Sequence, residues 1–300
     1  MTPGAGGGAG AGAAPPDGPA QPTLRRLREH GIRPKHALGQ NFLVDDNLLG
    51  VIERAAELDS AADVVLEVGG GLGTLSEHLA PRVRHLHVVE VDAALGSALD
   101  DALAPHRNAM LHLADAVRLD LSALAPEPNK VVANLPYGVA ATVLLRTIRE
   151  MPAVTLWVAM VQREVADRLA AGPGSRTYGA TSAIAQLSCE VRLLRRVSAS
   201  VFHPRPRVES ALVRLRRVAP PPRPATVALV HAAFAHRRKA LAGSLALAPG
   251  AAADLRERVR EELVELGHPP DARAERLSPQ DFEMLAARLG DASLGPAPVD

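Results

Sequence analysis

The sequence predicts an α/β protein: a doubly wound, mainly parallel sheet followed by a small all-helical C-terminal domain. Three observations predict this. Short apolar runs alternate with helix-patterned stretches from residue 63 to residue 161, the rhythm of strand–helix–strand units. The first of those runs, 63–68, ends in glycines at the start of the next helix. A proline-rich stretch, APPPRPA at 219–225, then leads into sequence with helical periodicity only.

The elements follow in order. Residues 1–22 are Gly/Ala/Pro low-complexity sequence, too poor in large apolar side chains to order, and a disordered tail is expected there. Asp45 stands as an N-cap before Leu48, Leu49, Ile52, Ala55 and Ala56, which recur at helical spacing. Strands are expected at 63–68, 84–91, 108–113, 130–134 and 154–161, with helices at 75–80, 93–103 and 139–150. Residues 210–218 alternate with period two and read as a late strand. Beyond the prolines, 227–247, 253–267 and 278–289 read as helices. The organisation expected is a tail over 1–22, an α/β domain over 23–219, a helical domain over 220–290 and a tail over 291–300.

Composition excludes several classes. Of 300 residues, 47% are apolar and 22% charged, enough to bury a sizeable core. The longest apolar run, 154–161, falls well short of the ~20 residues of a membrane helix. The N-terminus has neither the basic region nor the apolar core of a secretory signal. One cysteine, Cys189, rules out an internal disulfide framework, and the eleven His are scattered, so no metal site is expected. A cytoplasmic protein is expected. The net charge of +1 hides a pattern: residues 192–239 carry twelve basic residues against Glu209 alone, +11 in all. Such a window points to a polyanion-facing surface.

Glu67-Val68-Gly69-Gly70-Gly71-Leu72-Gly73 lies where the first strand meets its helix. A turn without Cβ atoms lets backbone approach a ligand at the carboxyl edge of the sheet. Counting from Gly69, the dinucleotide fingerprint needs a glycine where Thr74 stands, and no GxxxxGK is present. The E-x-G-x-G-x-G form instead resembles the S-adenosylmethionine motif of Rossmann-like methyltransferases. Glu90, 23 residues after Glu67, ends the second strand, where an acid can accept both ribose hydroxyls. Asp115 follows the third strand, placed to accept from an adenine amine.

The fourth strand ends in Asn134-Leu135-Pro136-Tyr137. This resembles the motif of methyltransferases that act on exocyclic amines of bases. An adenine N6 lone pair is delocalised into the ring and is a poor nucleophile. Two acceptors, the Asn134 side-chain oxygen and the Leu135 carbonyl, can hold both N6 hydrogens and draw the nitrogen toward tetrahedral geometry. Pro136 fixes the backbone that presents the carbonyl, and Tyr137 offers a face on which an extruded base stacks.

With Gly39-Gln40-Asn41-Phe42-Leu43, Gln162-Arg163-Glu164-Val165-Ala166, Tyr178-Gly179 and the segment from Phe202 to Ser210, the chain resembles the ribosomal RNA adenine N6-dimethyltransferases, in their small-subunit branch. The resemblance spans about residues 33–290. It implies a methyltransferase domain over 23–219 and an RNA-binding helical domain over 220–290. It also implies S-adenosylmethionine as cofactor, held by Asn41, Leu43, Gly69, Gly71, Glu90, Asp115 and Asn134. The Phe202 loop would face the target base, with Phe202 stacking opposite Tyr137. Arg237, Arg238 and Lys239, in the first C-terminal helix, would meet phosphates. The implied target is a pair of adjacent adenosines in the loop of the 3′-terminal helix of 16S rRNA, within an immature small ribosomal subunit. Each would receive two methyls, and a monomer is expected. Alternatives are a 23S rRNA adenine methyltransferase of the macrolide-resistance kind, a non-catalytic RNA-binding protein on the same fold, and a dinucleotide oxidoreductase. Leu135, the 164–175 segment and the basic helical domain favour the small-subunit branch, and intact Glu90 and Asn134 favour catalysis.

Overall fold

The computed structural model describes residues 22–290; residues 1–21 and 291–300, where tails are expected, lie outside them. After helix α1 (Pro22–Glu29), a two-residue strand β1 (Phe42–Leu43) leads into α2 (Asp46–Ala56). Asp45 caps α2 as expected, its side chain accepting from the Leu48 amide at 3.1 Å.

Alternation follows: β2 (Val64–Val68), α3 (Thr74–Leu79), β3 (His85–Glu90), α4 (Gly96–Leu103), β4 (Ala109–Leu113), β5 (Lys130–Asn134), α5 (Ala140–Glu150), β6 (Leu156–Gln162) and α6 (Arg163–Leu169). Helix α7 (Ala180–Ser188), β7 (Cys189–Val197), the short β8 (Phe202–His203) and β9 (Ser210–Arg217) complete the α/β part. Seven strands form one sheet in the order β4-β3-β2-β5-β6-β9-β7. Pairing is parallel from β4 to β6, and β9 then runs antiparallel between β6 and β7.

Each sheet face is covered, which is why the strands are apolar on both sides. On one face Val65, Leu86, Val88 and Val158 pack against Leu49 and Ile52 of α2, Leu79 of α3 and Leu99 of α4. On the other, Leu66, Val131 and Trp157 pack against Val143, Leu144 and Ile148 of α5 and Leu169 of α6. The end of α5 is closed by Arg217, which donates to the carbonyls of Ile148, Met151 and Val154 while lying over the Trp157 ring. Of these, the Ile148 carbonyl lies in the last turn of α5 and has no helical partner of its own.

The helical domain has a separate core of Leu and Ala around Phe282, to which Tyr178 and Ile184 contribute from before the proline stretch. Two expectations are corrected here. The prolines are not all linker: Pro224 opens α8 (Pro224–Ala235), where a missing N–H costs nothing. The single helix expected over 227–247 is broken, because residues 236–240 form a turn before α9 (Leu241–Leu245). Helices α10 (Leu255–Glu265) and α11 (Pro279–Leu289) follow. No described helix is long and apolar enough to cross a membrane.

The glycine turn after β2 is where the packing is tightest. Gly73 has φ +79°, and a Cβ there would lie 2.4 Å from the Ala102 Cβ of α4. Left-handed strain and overlap together lead to an expected loss of about 2–5 kcal/mol for Gly73→Ala. Gly172→Ala, which meets nothing within 4 Å, should change stability by less than about 0.5 kcal/mol. Urea unfolding of both variants checks this; equal midpoints would show that the turn yields freely.

Candidate active site

The carboxyl ends of β2, β3, β4 and β5 open onto one cavity of about 940 Å³, large for a small-molecule site. The glycine turn forms its floor. A Cβ on Gly69 (φ +82°) would sit 3.0 Å from Pro136 Cδ, and one on Gly71 (φ +59°) 3.2 Å from Phe42 Cδ1. Glycine therefore lets the turn, residues 134–137 and β1 converge on the same space.

Glu90, at the end of β3, is 6% exposed. One of its oxygens accepts from the Gly71 amide at 2.9 Å and the other from the Asp92 amide at 2.9 Å. Asp92 in turn holds the segment that covers the cavity. It accepts from Lys35 Nζ at 2.7 Å and Gln40 Nε2 at 2.8 Å, while Gln40 Oε1 accepts from the Lys35 amide. Burial pushes the Asp92 carboxyl up, but its bonds to Lys35 and Gln40 outweigh burial and hold it below the usual carboxylate range.

The Asn134 amide donates through Nδ2 to the Asn41 carbonyl at 3.2 Å. That leaves Oδ1 as an acceptor; the hydrogen-bond network makes this assignment. Among the described residues no donor reaches the Leu135 carbonyl. The Tyr137 hydroxyl shares a 2.6 Å hydrogen bond with Ser210 Oγ, which orients the ring. Burial raises the phenol, so it stays neutral.

Asn41, Leu43, Gly69, Gly71, Glu90, Asp115, Asn134 and Tyr137 all line the cavity. Phe202 does not. It is 2% exposed, in the core beside Phe42 and Leu43, because β8 pairs with β1. Stacking of Phe202 opposite Tyr137 is therefore not the arrangement in this structure; residues 205–208, farther along the same loop, line the cavity instead. Arg237, Arg238 and Lys239 lie on the turn after α8, not in a helix and not at the cavity. Arg237 is bound to Glu275 at 3.1 Å and to the Arg176 carbonyl. Sequence reasoning missed Asp92 and Val91, and placed Arg205 and Arg207 only within the Phe202–Ser210 segment and the basic window 192–239. Val91 carried a signal: a large apolar residue directly after Glu90, 53% exposed and at the cavity.

The strand order, the glycine turn and the acid at the end of β3 define a class of protein, the Rossmann-like methyltransferases. Solved structures with this fold include a dimethyladenosine transferase from Plasmodium falciparum, with a TM-score of 0.70 at 22% identity over 84% of this chain and 98% of that one. The 23S rRNA methyltransferase ErmE gives 0.62 at 27% identity over 83% and 99%. The family model for ribosomal RNA adenine dimethylase matches residues 31–264, and the chain belongs to that family. Ribosomal RNA small subunit methyltransferase A of Rubrobacter xylanophilus is 46% identical over 86% of this chain and 95% of its own. The Thermobifida fusca protein of the same name is 42% identical over 88% and 93%.

Methyl transfer in this family implies a cationic nucleoside cofactor, and the residues present fit one. Glu67 lines the cavity, is fully buried, and neither of its carboxyl oxygens has a hydrogen-bond partner. The Ser76 hydroxyl is likewise buried without a hydrogen-bond partner. Burial, opposed by the neighbouring Ser76 hydroxyl and reinforced by the charge of Glu90, pushes the Glu67 carboxyl up to about 8. In the unfolded chain the group titrates near its ordinary value of 4.5. Its contribution to stability is thus fully present below pH 4.5 and lost as pH rises toward 8. Glu67→Gln lacks this dependence. Across that interval its unfolding free energy should gain about 3–5 kcal/mol relative to the native chain. Denaturant unfolding of both proteins at a series of pH values measures the gap; parallel profiles would show that Glu67 is ionised in the fold.

Proposed function

We propose that this chain transfers methyl groups from S-adenosylmethionine to N6 of two adjacent adenosines in the loop of the 3′-terminal helix of 16S rRNA. Each adenosine becomes N6,N6-dimethyladenosine, in the cytoplasm, on an immature small subunit, with the enzyme acting as a monomer. The observation that carries the reading is the pair of free acceptors at the end of β5. Asn134 Oδ1 and the Leu135 carbonyl stand in the cavity whose other wall is the Glu90 carboxylate. The curated small-subunit relatives, at 42–46% identity, support the 16S target. The 23S alternative is carried by a more distant structural likeness, at 27%.

Bound S-adenosylmethionine supplies an activated methyl group on a sulfonium. Glu90 would accept the ribose hydroxyls with the lone pairs its two backbone bonds leave free. Asp115 would accept from the adenine amine, with Val91 and Ala116 as apolar walls around the ring. Asn41 and Leu43 would close over the cofactor from the segment tethered to Asp92. Asn134 Oδ1 and the Leu135 carbonyl would hold the two N6 hydrogens of the substrate. The N6 lone pair then faces away from both acceptors. Tyr137, fixed by Ser210, would stack on the extruded base. No strong base is needed beside N6, because its proton becomes acidic once the nitrogen is alkylated.

Expression in a bacterial strain lacking this modification tests the assignment. Extracted 16S rRNA should gain two adjacent dimethyladenosines; methylation confined to 23S rRNA, or none, would contradict it. Asn134→Ala should lower single-turnover transfer by about 10²–10³-fold at saturating S-adenosylmethionine. Turnover close to that of the native chain would remove Asn134 from its role.

A further inference from the structure

The charged residues lining the cavity are segregated. Glu90 and Asp115 stand at the strand ends beside the protonated Glu67, whereas Arg205 and Arg207 stand on the loop between β8 and β9. The acidic end suits a cationic nucleoside, and the basic end suits an anion.

Four of the twelve basic residues in the window 192–239 are paired with acids from outside it. Arg192 pairs with Glu190 at 2.6 Å, and Arg214 and Arg216 pair with Glu57 at 3.2 and 2.7 Å. Arg217 is buried against carbonyls, and Arg237 is held by Glu275. Arg195, Arg196, Arg205, Arg207, Arg223, Arg238 and Lys239 have no acidic partner among the described residues. Of these seven, the two at the cavity are Arg205 and Arg207. The acid nearest in sequence, Glu209, is already bound to Arg163 at 2.7 Å. Two exposed guanidinium groups therefore face the cavity mouth without compensation.

The arm that carries them is built to keep its shape. Phe202 and His203 pair with β1, Ser210 pairs with Gln162, and the Arg163 amide donates to the Glu209 carbonyl at 2.9 Å. Pro204 and Pro206 fix φ on either side of Arg205. Groups held in place before binding lose less conformational entropy on contact.

We infer that Arg205 and Arg207 bind the RNA phosphates flanking the adenosine extruded into the cavity, a site that deepens the RNA reading above and rests on it. The base enters between residues 134–137 and the loop, so its own backbone must cross the loop. Guanidinium groups at that crossing can hold phosphate oxygens through paired N–H donors. Such contacts position the strand without reading its sequence.

The test is the salt dependence of RNA affinity. Fluorescence anisotropy with a labelled hairpin of the 16S 3′-terminal helix would compare the native chain, Arg205→Gln/Arg207→Gln and Arg205→Lys/Arg207→Lys. Two lost phosphate contacts should flatten the log–log salt slope by about 1.4–1.8 units, and the double Lys variant should keep most of the slope. Calorimetry with S-adenosylmethionine alone should give the same affinity for all three proteins. An unchanged slope in the double Gln variant would overturn the inference. So would a tenfold loss of cofactor affinity, which would put the arginines on the cofactor carboxylate. Methylation of small subunits from a strain lacking the modification by the native chain separates the two readings. If the native chain methylates them and the Gln slope is unchanged, the arginine site fails alone; if the native chain neither binds the hairpin nor methylates the subunits, both readings fail.

Discussion

The Glu90 carboxylate, tied through both oxygens to backbone amides, is the interaction on which the site depends. Gly71 donates to it from the turn after β2, and Asp92 from the loop after β3. Each bond is charge-assisted and largely shielded from water. One anion thereby sets the distance between the glycine floor and the neighbouring strand end. It also presents Asp92, whose side chain holds Lys35 and Gln40 and so the segment leading to Asn41. From Asn41 the chain of contacts reaches Asn134. Glu90 on the cofactor side and Asn134 at the reaction corner are thus joined through Asp92, Gln40 and Asn41.

A second set of contacts fixes the same segment from outside. Helix α1 lies across the turn. Arg26 donates to the Leu72 carbonyl and pairs with Glu77 at 2.7 Å, and Thr23 donates to the Leu43 carbonyl at 2.8 Å while meeting Thr74 Oγ at 2.7 Å. Most of these partners are buried or half-buried, so they hold geometry better than exposed ion pairs would. Residues 37–43 are consequently held as a wall of the cavity, and the acids at the strand ends face them across the space a cationic nucleoside would fill.

Much of this was legible in the sequence, for physical reasons that differ by element. The central strands announce themselves because burial on both faces makes them apolar; β5 falls on residues 130–134 as expected. Asp45, the glycine turn, Glu90 and residues 134–137 are local patterns whose chemistry requires those residue types. Strand β7 was not legible, since an edge strand exposed on one side can carry Arg192, Arg195 and Arg196 and still pair. The break at residues 236–240 was hidden because His236, Arg237, Arg238, Lys239 and Ala240 include no Gly or Pro to mark it. Composition could count twelve basic residues but not see Glu57, distant in sequence, bound to two of them. Phe202 was misassigned for a related reason: its motif reveals a loop beside the site, whereas the pairing of β8 with β1 decides which side chain turns inward. Asp92 carried no motif, and its side chain holds partners 52 and 57 positions away.

The most direct measurement is calorimetric titration of S-adenosylmethionine into Glu90→Gln, in a variant whose circular dichroism matches the native chain. The side chain keeps its shape but loses its charge, and its amide nitrogen turns a donor toward one of the two backbone N–H groups. If the Glu90 carboxylate organises the site, the dissociation constant should rise about 10–100-fold, the loss of charged hydrogen bonds worth roughly 1.5–3 kcal/mol. A dissociation constant within twofold of the native value would contradict it.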